Sequence, residues 1–304
     1  MKVILRSGFI ALAILALAVP ANAGPFEDGL AAYQRGDYAT ALRLFRPLAE
    51  QGDAFAQFNL GSMYYNGQSV PQDPAEAVKW YRMAAEKGIA TAQFNLGTMY
   101  ANGDGVAQDD AGAGKWHRKA AEQGFAEAQF SLGHMYDKGR GVSQDYTEAV
   151  KWYRMAAEQG YASAQADLGL LYFKGQGVPK DYAEAEKWYR MAAEQGLPKA
   201  QFNLGVMYDK GRGGLQDYGE AVKWHRKAAE QGFAEAQYNL GGMYANGQGV
   251  RQDFILACMW FKLAAAQGIE LAEQGRDIIA ERMTPDQLAE AQRMAREWMA
   301  KHQQ

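Results

Sequence analysis

The sequence contains a single cysteine, Cys258, among its 304 residues. One cysteine cannot form an intramolecular disulfide, whatever the redox state of the compartment. The fold must therefore be stabilised by packing alone, and the 48% of residues that are hydrophobic provide ample material for a core.

The sequence also lacks the short motifs that most directly indicate catalysis or metal binding. It has no His-Glu-x-x-His, Cys-x-x-Cys, Gly-x-Ser-x-Gly or Ser-x-x-Lys. The last of these carries the nucleophile of serine penicillin-recognising enzymes, so its absence disfavours that class. We predict no catalytic residue, no metal site and no cofactor.

An excess of basic charge is missing as well. The chain has 32 Lys and Arg against 35 Asp and Glu, a formal net charge of −3. Non-specific binding to nucleic acid requires a basic surface. Nucleic acid is therefore not an expected partner.

The first 23 residues have the pattern of a secretory signal peptide. Lys2 and Arg6 give a positive start, residues 8–19 form an apolar run, and small residues precede a cleavage point at Gly24. The apolar run is too short to span a bilayer. We expect cleavage, export to the periplasm or beyond in a bacterium, and no stable membrane insertion after cleavage.

Three series of residues recur every 36 positions. They are Gly52, Gly88, Gly124, Gly160, Gly196, Gly232 and Gly268; Gly61, Gly97, Gly133, Gly169, Gly205 and Gly241; and Trp80, Trp116, Trp152, Trp188, Trp224 and Trp260. A fixed period of this size indicates one supersecondary unit stacked on copies of itself.

Each unit is predicted to contain two antiparallel helices. Apolar residues at helical spacing predict the first, helix A, over about residues 90–102, with Gly97 at a point of close approach to a neighbouring helix. The second, helix B, begins after an aspartate cap such as Asp73, where Glu76 completes a capping box. A glycine such as Gly88 ends helix B.

Two recurring blocks resemble the Sel-1-like repeat (SLR), a 36-residue relative of the tetratricopeptide class. The block AQFNLGTMY stands at residues 92–100, and AVKWYRMAAEQG stands at residues 149–160. The resemblance implies an all-α fold, a right-handed α-solenoid of about seven antiparallel helix pairs plus C-terminal capping helices. It also implies a concave face and a role as an adaptor or scaffold for other proteins.

The predicted organisation has four parts. Residues 1–23 are the signal peptide, and residues 24–52 form an atypical N-terminal capping repeat. Residues 53–268 form six repeats of 36 residues, and residues 269–304 form the C-terminal capping helices. Terminal repeats are expected to be atypical because they cap the stack.

Several residues that suggest chemistry fit a structural role better. The Gly139-Arg140-Gly141 segment resembles part of a phosphate-binding loop, but it follows a helix instead of a strand, so we predict a turn. His117 and His225 stand where most other copies have tyrosine, and we predict that they pack in the core. A regular acidic row is predicted to be a solvated edge: Glu50, Glu86, Glu122, Glu158, Glu194 and Glu230.

An aromatic row remains as a candidate site. Phe94 is two residues from the packing stripe of helix A, a rotation of about 200°, which directs its ring to the face expected to be polar. The candidate binding residues are the aromatics Phe58, Phe94, Phe130, Phe202 and Tyr238, and the edging lysines Lys138, Lys174 and Lys210. The rings either anchor a peptide in a groove or pack helix A against the next helix A.

We therefore predict a non-catalytic, exported scaffold that binds proteins or peptides on its concave face. Two alternatives stay open. One is an envelope hydrolase or β-lactam-binding enzyme, which would need a nucleophile within reach of a base. The other is a scaffold in envelope polysaccharide assembly, where the groove would hold other envelope proteins.

Overall fold

The computed structural model describes residues 24–302, so the predicted signal peptide lies outside the described residues. Within residues 24–302 the chain forms sixteen α-helices and no strand. None of these helices is long and apolar enough to cross a membrane.

The helices alternate between A and B positions along the chain. Their bounds are α1 Pro25–Gln34, α2 Tyr38–Glu50, α3 Ala54–Asn66, α4 Pro74–Glu86, α5 Ala90–Asn102, α6 Asp110–Glu122, α7 Ala126–Lys138, α8 Tyr146–Glu158, α9 Ala162–Lys174, α10 Tyr182–Glu194, α11 Pro198–Lys210, α12 Tyr218–Glu230, α13 Ala234–Asn246, α14 Phe254–Ala265, α15 Glu270–Ala280 and α16 Pro285–His302.

The chain divides into two compact units, the first ending at Ala156 and the second beginning at Ala157. In the first unit successive helices pack against each other, from the pair α1 and α2 to the pair α6 and α7. In the second unit the same holds from α9 to α15, and α16 packs against α14. The prediction of an all-α fold built from packed helix pairs is confirmed.

Helices A and B approach closely where helix A carries its internal glycine. A Cβ atom at Gly97 would lie 2.9 Å from the ring of His117, and one at Gly133 would lie 2.7 Å from the ring of Tyr153. Real Cβ contacts are not this short, so only glycine leaves room for the ring. The predicted close approach is confirmed, and the contact is with a ring of the paired helix B.

The loops between helices A and B contain a second close approach. Gly141 has φ +70°, and a Cβ there would lie 2.3 Å from the carbonyl oxygen of Asp110, at the start of helix B in the preceding repeat. The Arg140 guanidinium donates to the Asp110 carboxylate at 2.9 Å. The Gly-Arg-Gly segment is therefore a turn, as predicted, and the structure shows that it also contacts the preceding repeat.

The aspartate caps form as predicted, but the capping box at Asp73 was predicted wrongly. The Asp73 carboxylate accepts from the backbone N–H groups of Ala75 and Glu76, both at 3.0 Å. Its own N–H donates to the Tyr64 carbonyl at 2.9 Å and so is already satisfied. The Glu76 carboxylate instead pairs with Lys79 at 2.6 Å.

The C-terminal helices cover the last repeat of the second unit. A reciprocal capping box forms at the start of α16, because Thr284 N–H donates to the Gln287 side chain at 2.9 Å and Gln287 N–H donates to Thr284 Oγ1 at 3.3 Å. Trp298 of α16 then packs edge-on against Trp260 of α14, with 6.3 Å between ring centroids. This is the packing expected of a terminal cap.

We predict that Gly141→Ala destabilises the protein on the order of 2 kcal/mol, because alanine is unfavourable at positive φ and its Cβ would overlap the Asp110 carbonyl. Urea unfolding of the variant measures the loss. Gly214→Ala is the matched control, since a Cβ at this loop position meets nothing within 4 Å. Equal effects of the two substitutions would contradict the inter-repeat contact.

Candidate functional site

The five aromatic residues of the predicted row all pack against a ring of the paired helix B. The ring centroid distances are 5.7 Å for Phe58–Tyr81, 5.4 Å for Phe94–His117, 5.7 Å for Phe130–Tyr153, 5.6 Å for Phe202–His225 and 5.8 Å for Tyr238–Phe261. Phe58 is buried, with 5% of its surface exposed, and the other four rings are half-buried.

Two of these rings also contact the next repeat. Phe94 lies 5.3 Å from Phe125, and Phe202 lies 5.3 Å from Phe233, measured between ring centroids. Phe125 and Phe233 immediately precede α7 and α13, the next A helices. The row therefore contributes to packing within and between repeats, and only the half-exposed rings offer surface to a ligand. Their role in binding stays a prediction.

The three predicted lysines end helices α7, α9 and α11, and all three are exposed. The Lys138 ammonium pairs with Asp137 at 2.6 Å, and that of Lys210 pairs with Asp209 at 2.8 Å. These exposed pairs with neighbouring residues add little stability. The lysines thus lie at the C-terminal ends of A helices, and their role in binding stays a prediction.

The solvent side of helix A carries a stripe of residues at helical spacing. We call this stripe, together with the half-buried rings beside it, the A-helix face, and define it separately in each unit. In the first unit the stripe comprises Phe55, Asn59, Ser62 and Asn66 on α3, Thr98 and Asn102 on α5, and Glu127, Ser131, His134 and Lys138 on α7. Thr91 and Asn95 of α5 fall on the same helical spacing but are buried.

The part of the first unit's A-helix face that lies on α3 and α5 carries no charge. Helices α3 and α5 contain no Asp, Glu, Lys, Arg or His at all, whereas their partners α4 and α6 carry several charged residues. Phe55 leaves half of its surface exposed to solvent. The sequence reasoning did not single out this contrast, although the charge pattern of successive helices displays it.

The second unit has a more charged A-helix face. The Lys199 ammonium of α11 pairs with the Asp167 carboxylate of α9 at 2.9 Å, which joins two successive A helices. Lys174 and Lys210 extend the basic edge of the same face, and Glu235 of α13 is exposed. The two units therefore present different chemistry on equivalent helix surfaces.

The sequence reasoning missed a ladder of buried glutamines. One glutamine in each repeat donates its Nε2 to the backbone carbonyl eight residues earlier: Gln57, Gln93, Gln129, Gln165, Gln201 and Gln237. Its Oε1 accepts from the glutamine thirty residues later in four bonds of 2.7–2.9 Å: Gln123 to Gln93, Gln195 to Gln165, Gln231 to Gln201, and Gln267 to Gln237. The recurrence of Ala-Gln in every full repeat was the available signal.

One rung of this ladder is incomplete. Gln57 Oε1 is buried without a hydrogen-bond partner among the described residues. The corresponding donor position is Lys87 instead of glutamine, and its ammonium donates to the Gly52 carbonyl. A buried acceptor without a donor costs free energy.

We predict that Lys87→Gln stabilises the protein by about 1 kcal/mol, because the new amide can donate to Gln57 Oε1. Chemical denaturation of the purified variant measures the gain. The reverse change at an intact rung, Gln123→Lys, is the matched comparison and should be destabilising. A loss of stability in Lys87→Gln would contradict the proposed rung.

The histidines predicted to pack are buried in the core. Burial lowers the pKa of both His117 and His225 to about 4, so both rings are neutral near pH 7. Within residues 24–302 no group of three or more His, Cys, Asp or Glu side chains is arranged to hold a metal ion. The predicted acidic row lies exposed at the ends of the B helices.

A surface depression of about 570 Å³ lies in the second unit and is lined by Tyr244, Val250, Arg251, Gln252, Asp253, Phe254, Ile255 and Gln287. Two of its polar side chains are committed to local structure. Asp253 accepts from the Leu256 N–H at 3.0 Å, and Gln252 donates to the Ala245 carbonyl at 2.8 Å. The A-helix face is therefore the stronger candidate site.

The chain consists of successive helix pairs that are joined by short loops and that carry glycines at their close approaches. This arrangement defines an α-helical repeat protein. The Sel1 repeat family model matches residues 21–53, 54–89, 90–125, 126–161, 162–197, 198–233 and 234–269. The chain belongs to the Sel1 repeat family, as the sequence resemblance predicted. A comparison with curated proteins found no match.

Solved structures of Sel1 repeat proteins are similar to this chain. A Sel1 repeat protein from Oxalobacter formigenes is 37% identical, covers 80% of this chain and 97% of its own, and superposes with a TM-score of 0.71. The c5321 protective antigen with an SLR fold, from uropathogenic Escherichia coli, is 30% identical, with coverage of 91% and 84% and a TM-score of 0.40. A putative Sel1 repeat protein from Klebsiella pneumoniae is 24% identical, with coverage of 67% and 99% and a TM-score of 0.43.

Proposed function

We propose that this protein is an exported, non-catalytic scaffold that holds a segment of another protein on its A-helix face. The observation that carries the proposal is the stripe of solvent-accessible hydrogen-bonding side chains on α3, α5 and α7, together with the accessible rings of Phe55, Phe94 and Phe130. Membership of the Sel1 repeat family supports a protein-binding scaffold. The proposed ligand is a peptide segment bound along successive repeats.

The side chains of the first unit suit the main chain of such a segment. A bound peptide must satisfy its own N–H and C=O groups once water is excluded. Asparagine, serine and threonine both donate and accept hydrogen bonds, and Ser62, Asn66, Thr98 and Asn102 present such groups at the surface of α3 and α5. The exposed ring of Phe55 and the half-exposed ring of Phe94 provide apolar contact for the ligand's side chains.

The lack of charge on α3 and α5 restricts the ligand further. A charged side chain buried against this surface would lose its hydration without gaining a partner, which is unfavourable. A segment of uncharged residues avoids that cost. The expected partner of the first unit is therefore a peptide segment poor in Asp, Glu, Lys and Arg.

A random phage-displayed peptide library tests this surface. We expect the selected peptides to be poor in charged residues and to bind the double variant Asn66→Arg/Asn102→Arg at least ten-fold more weakly, because both positions are exposed on the A-helix face. Met83→Arg, at an exposed position on helix B, is the matched control and should retain binding. Isothermal calorimetry with the selected peptides measures both affinities.

Two results would contradict the proposed surface. One is a failure of the library to yield any peptide that binds the purified protein. The other is equal loss of affinity in the Asn66→Arg/Asn102→Arg and Met83→Arg variants, which would place the peptide elsewhere. Circular dichroism of each variant confirms that the fold is retained.

Export is tested separately. We expect the full chain expressed in a bacterium to appear in the periplasmic extract or the medium with Gly24 as its first residue, because residues 1–23 have the pattern of a cleaved signal peptide. Mass spectrometry of the intact protein measures the N-terminus. Recovery of the chain in the cytoplasm with its first 23 residues attached would contradict export.

A further inference from the structure

Two repeats place a buried histidine directly beneath the A-helix face. His117 and His225 are only 4% and 1% exposed. In other repeats this position holds Tyr81, Tyr153, Tyr189 or Phe261. One such histidine lies in each of the two compact units.

Each histidine belongs to the same three-ring arrangement. The ring of Phe94 packs at a tilt against His117 at 5.4 Å and Phe125 at 5.3 Å between centroids. The ring of Phe202 packs in the same way against His225 at 5.6 Å and Phe233 at 5.3 Å. Phe94 and Phe202 are half-exposed residues of the A-helix face. A change in the histidine therefore acts on a ring that is available to a ligand.

The two buried histidine rings have few hydrogen-bond partners that could stabilise a second proton. The Nδ1 atom of each ring is buried and has no hydrogen-bond partner among the described residues. The His225 Nε2 atom lies 3.5 Å from the Asn239 amide. A charge placed on either ring would be buried without a hydrogen-bonded anion, which is unfavourable.

The helices around His117 carry titratable groups, but none offsets the burial of its ring. They are Tyr100 on α5; Asp110, Lys115, Arg118, Lys119 and Glu122 on α6; and Glu127, His134, Tyr136, Asp137 and Lys138 on α7. Burial is the cause that lowers the pKa of His117, with no electrostatic contribution resolved from these groups.

The surroundings of His225 are similar, but the neighbouring charges of Asp209 and Lys210 also affect its pKa. The groups on its helices are Lys199, Tyr208, Asp209 and Lys210 on α11; Tyr218, Glu220, Lys223, Arg226, Lys227 and Glu230 on α12; and Glu235, Tyr238 and Tyr244 on α13. Burial is the largest cause of its lowered pKa, while Asp209 raises the pKa and Lys210 lowers it.

We propose that His117 and His225 make the A-helix face sensitive to acid: a proton taken up by either ring disfavours its buried packing and loosens the face at Phe94 and Phe202. The link to ligand binding rests on the function proposed above. The loosening itself follows from the packing of the rings alone.

The direction of the effect follows from the two protonation equilibria. An exposed histidine in the opened state has a pKa of 6.5, whereas the buried rings have a pKa of about 4. The histidines' contribution to stability is complete above pH 6.5 and is lost as the pH falls toward 4, because the opened state binds the proton first. Between pH 7.5 and 5 the opening equilibrium should rise on the order of 30-fold per histidine.

The repeat that contains His117 is expected to open first. Helix α6 carries Gly112 and Gly114 in addition to the histidine, and glycine within a helix costs about 1 kcal/mol relative to alanine. Helix α12 has only Gly219, near its start. Of the two helices that carry a buried histidine, α6 of the first unit is therefore the less stable, and protonation should open it first.

The double variant His117→Tyr/His225→Tyr tests the proposal, since tyrosine occupies this position in three other repeats. Thermal unfolding is followed by circular dichroism at pH 7.5 and pH 5, where most carboxylates stay ionised. We expect the Tm of the wild type to fall by about 5 °C or more beyond that of the variant over this range. His134→Thr, at an exposed histidine, should keep the wild-type response.

Binding of the dye anilinonaphthalene sulfonate, without any peptide, reports the loosened face. We expect its fluorescence to rise at pH 5 with the wild type and with His134→Thr, and to stay flat with the tyrosine variant. If the tyrosine variant does not fold, His117→Phe/His225→Phe replaces it, because Phe261 occupies the same position in the last repeat.

Equal Tm shifts and equal dye fluorescence in the wild type and the variant would overturn the acid sensitivity. These measurements contain no peptide, so they are independent of the library selection. A protein that loosens at pH 5 but selects no peptide would refute the proposed binding function alone. A protein that binds selected peptides with the same affinity at pH 7.5 and 5, and shows no loosening, would refute the acid sensitivity alone.

Discussion

The close approach of a helix B ring to a helix A glycine is the contact on which the rest of each repeat depends. At Gly97 and its counterparts the missing side chain leaves room for a ring that a Cβ atom would exclude. The ring therefore lies against the backbone of helix A, within reach of the aromatic side chains of that helix. Phe94 and its aromatic counterparts then pack on that ring, which explains why they are half-buried or, at Phe58, buried.

Contacts that involve the backbone help to join neighbouring repeats. The buried glutamines bond to carbonyl groups of the preceding helix B, and the loop glycines touch the start of an earlier helix B. In a repeat protein each unit contacts only its neighbours, so stability is close to a sum of local terms. The incomplete rung at Gln57 and Lys87 is therefore a local defect, which explains how it is tolerated.

The sequence was sufficient to predict the helix pairs, the close approach at Gly97, the turn at Gly141 and the burial of His117. Each of these features follows from residues within one repeat. The sequence reasoning did less well where a contact with another helix decides the outcome. Glu76 was assigned to a capping box because the satisfaction of the Asp73 N–H by the Tyr64 carbonyl has no local signature.

The aromatic row illustrates the same limit. The rotation of Phe94 away from the packing stripe was reasoned for an isolated helix pair, in which the ring would point to solvent. In the structure Phe125 of the following repeat reaches it, and His117 lies beneath it. The 36-residue period shows that a position is constrained, but it does not identify the neighbouring residue that constrains it. The sequence alone therefore does not distinguish a packing role of the aromatic row from a binding role.

The two histidine sites have a common origin in the sequence. Residues 115–129 and 223–237 are identical, and each stretch contains both the histidine and the following phenylalanine of the three-ring arrangement. The matching distances from Phe94 and Phe202 follow, because each phenylalanine meets the same two partners. Since repeats contact only their neighbours, a copied stretch keeps its local packing in a new position. Duplication of one repeat segment can thus place the same titratable group beneath the surface of both units without further adaptation.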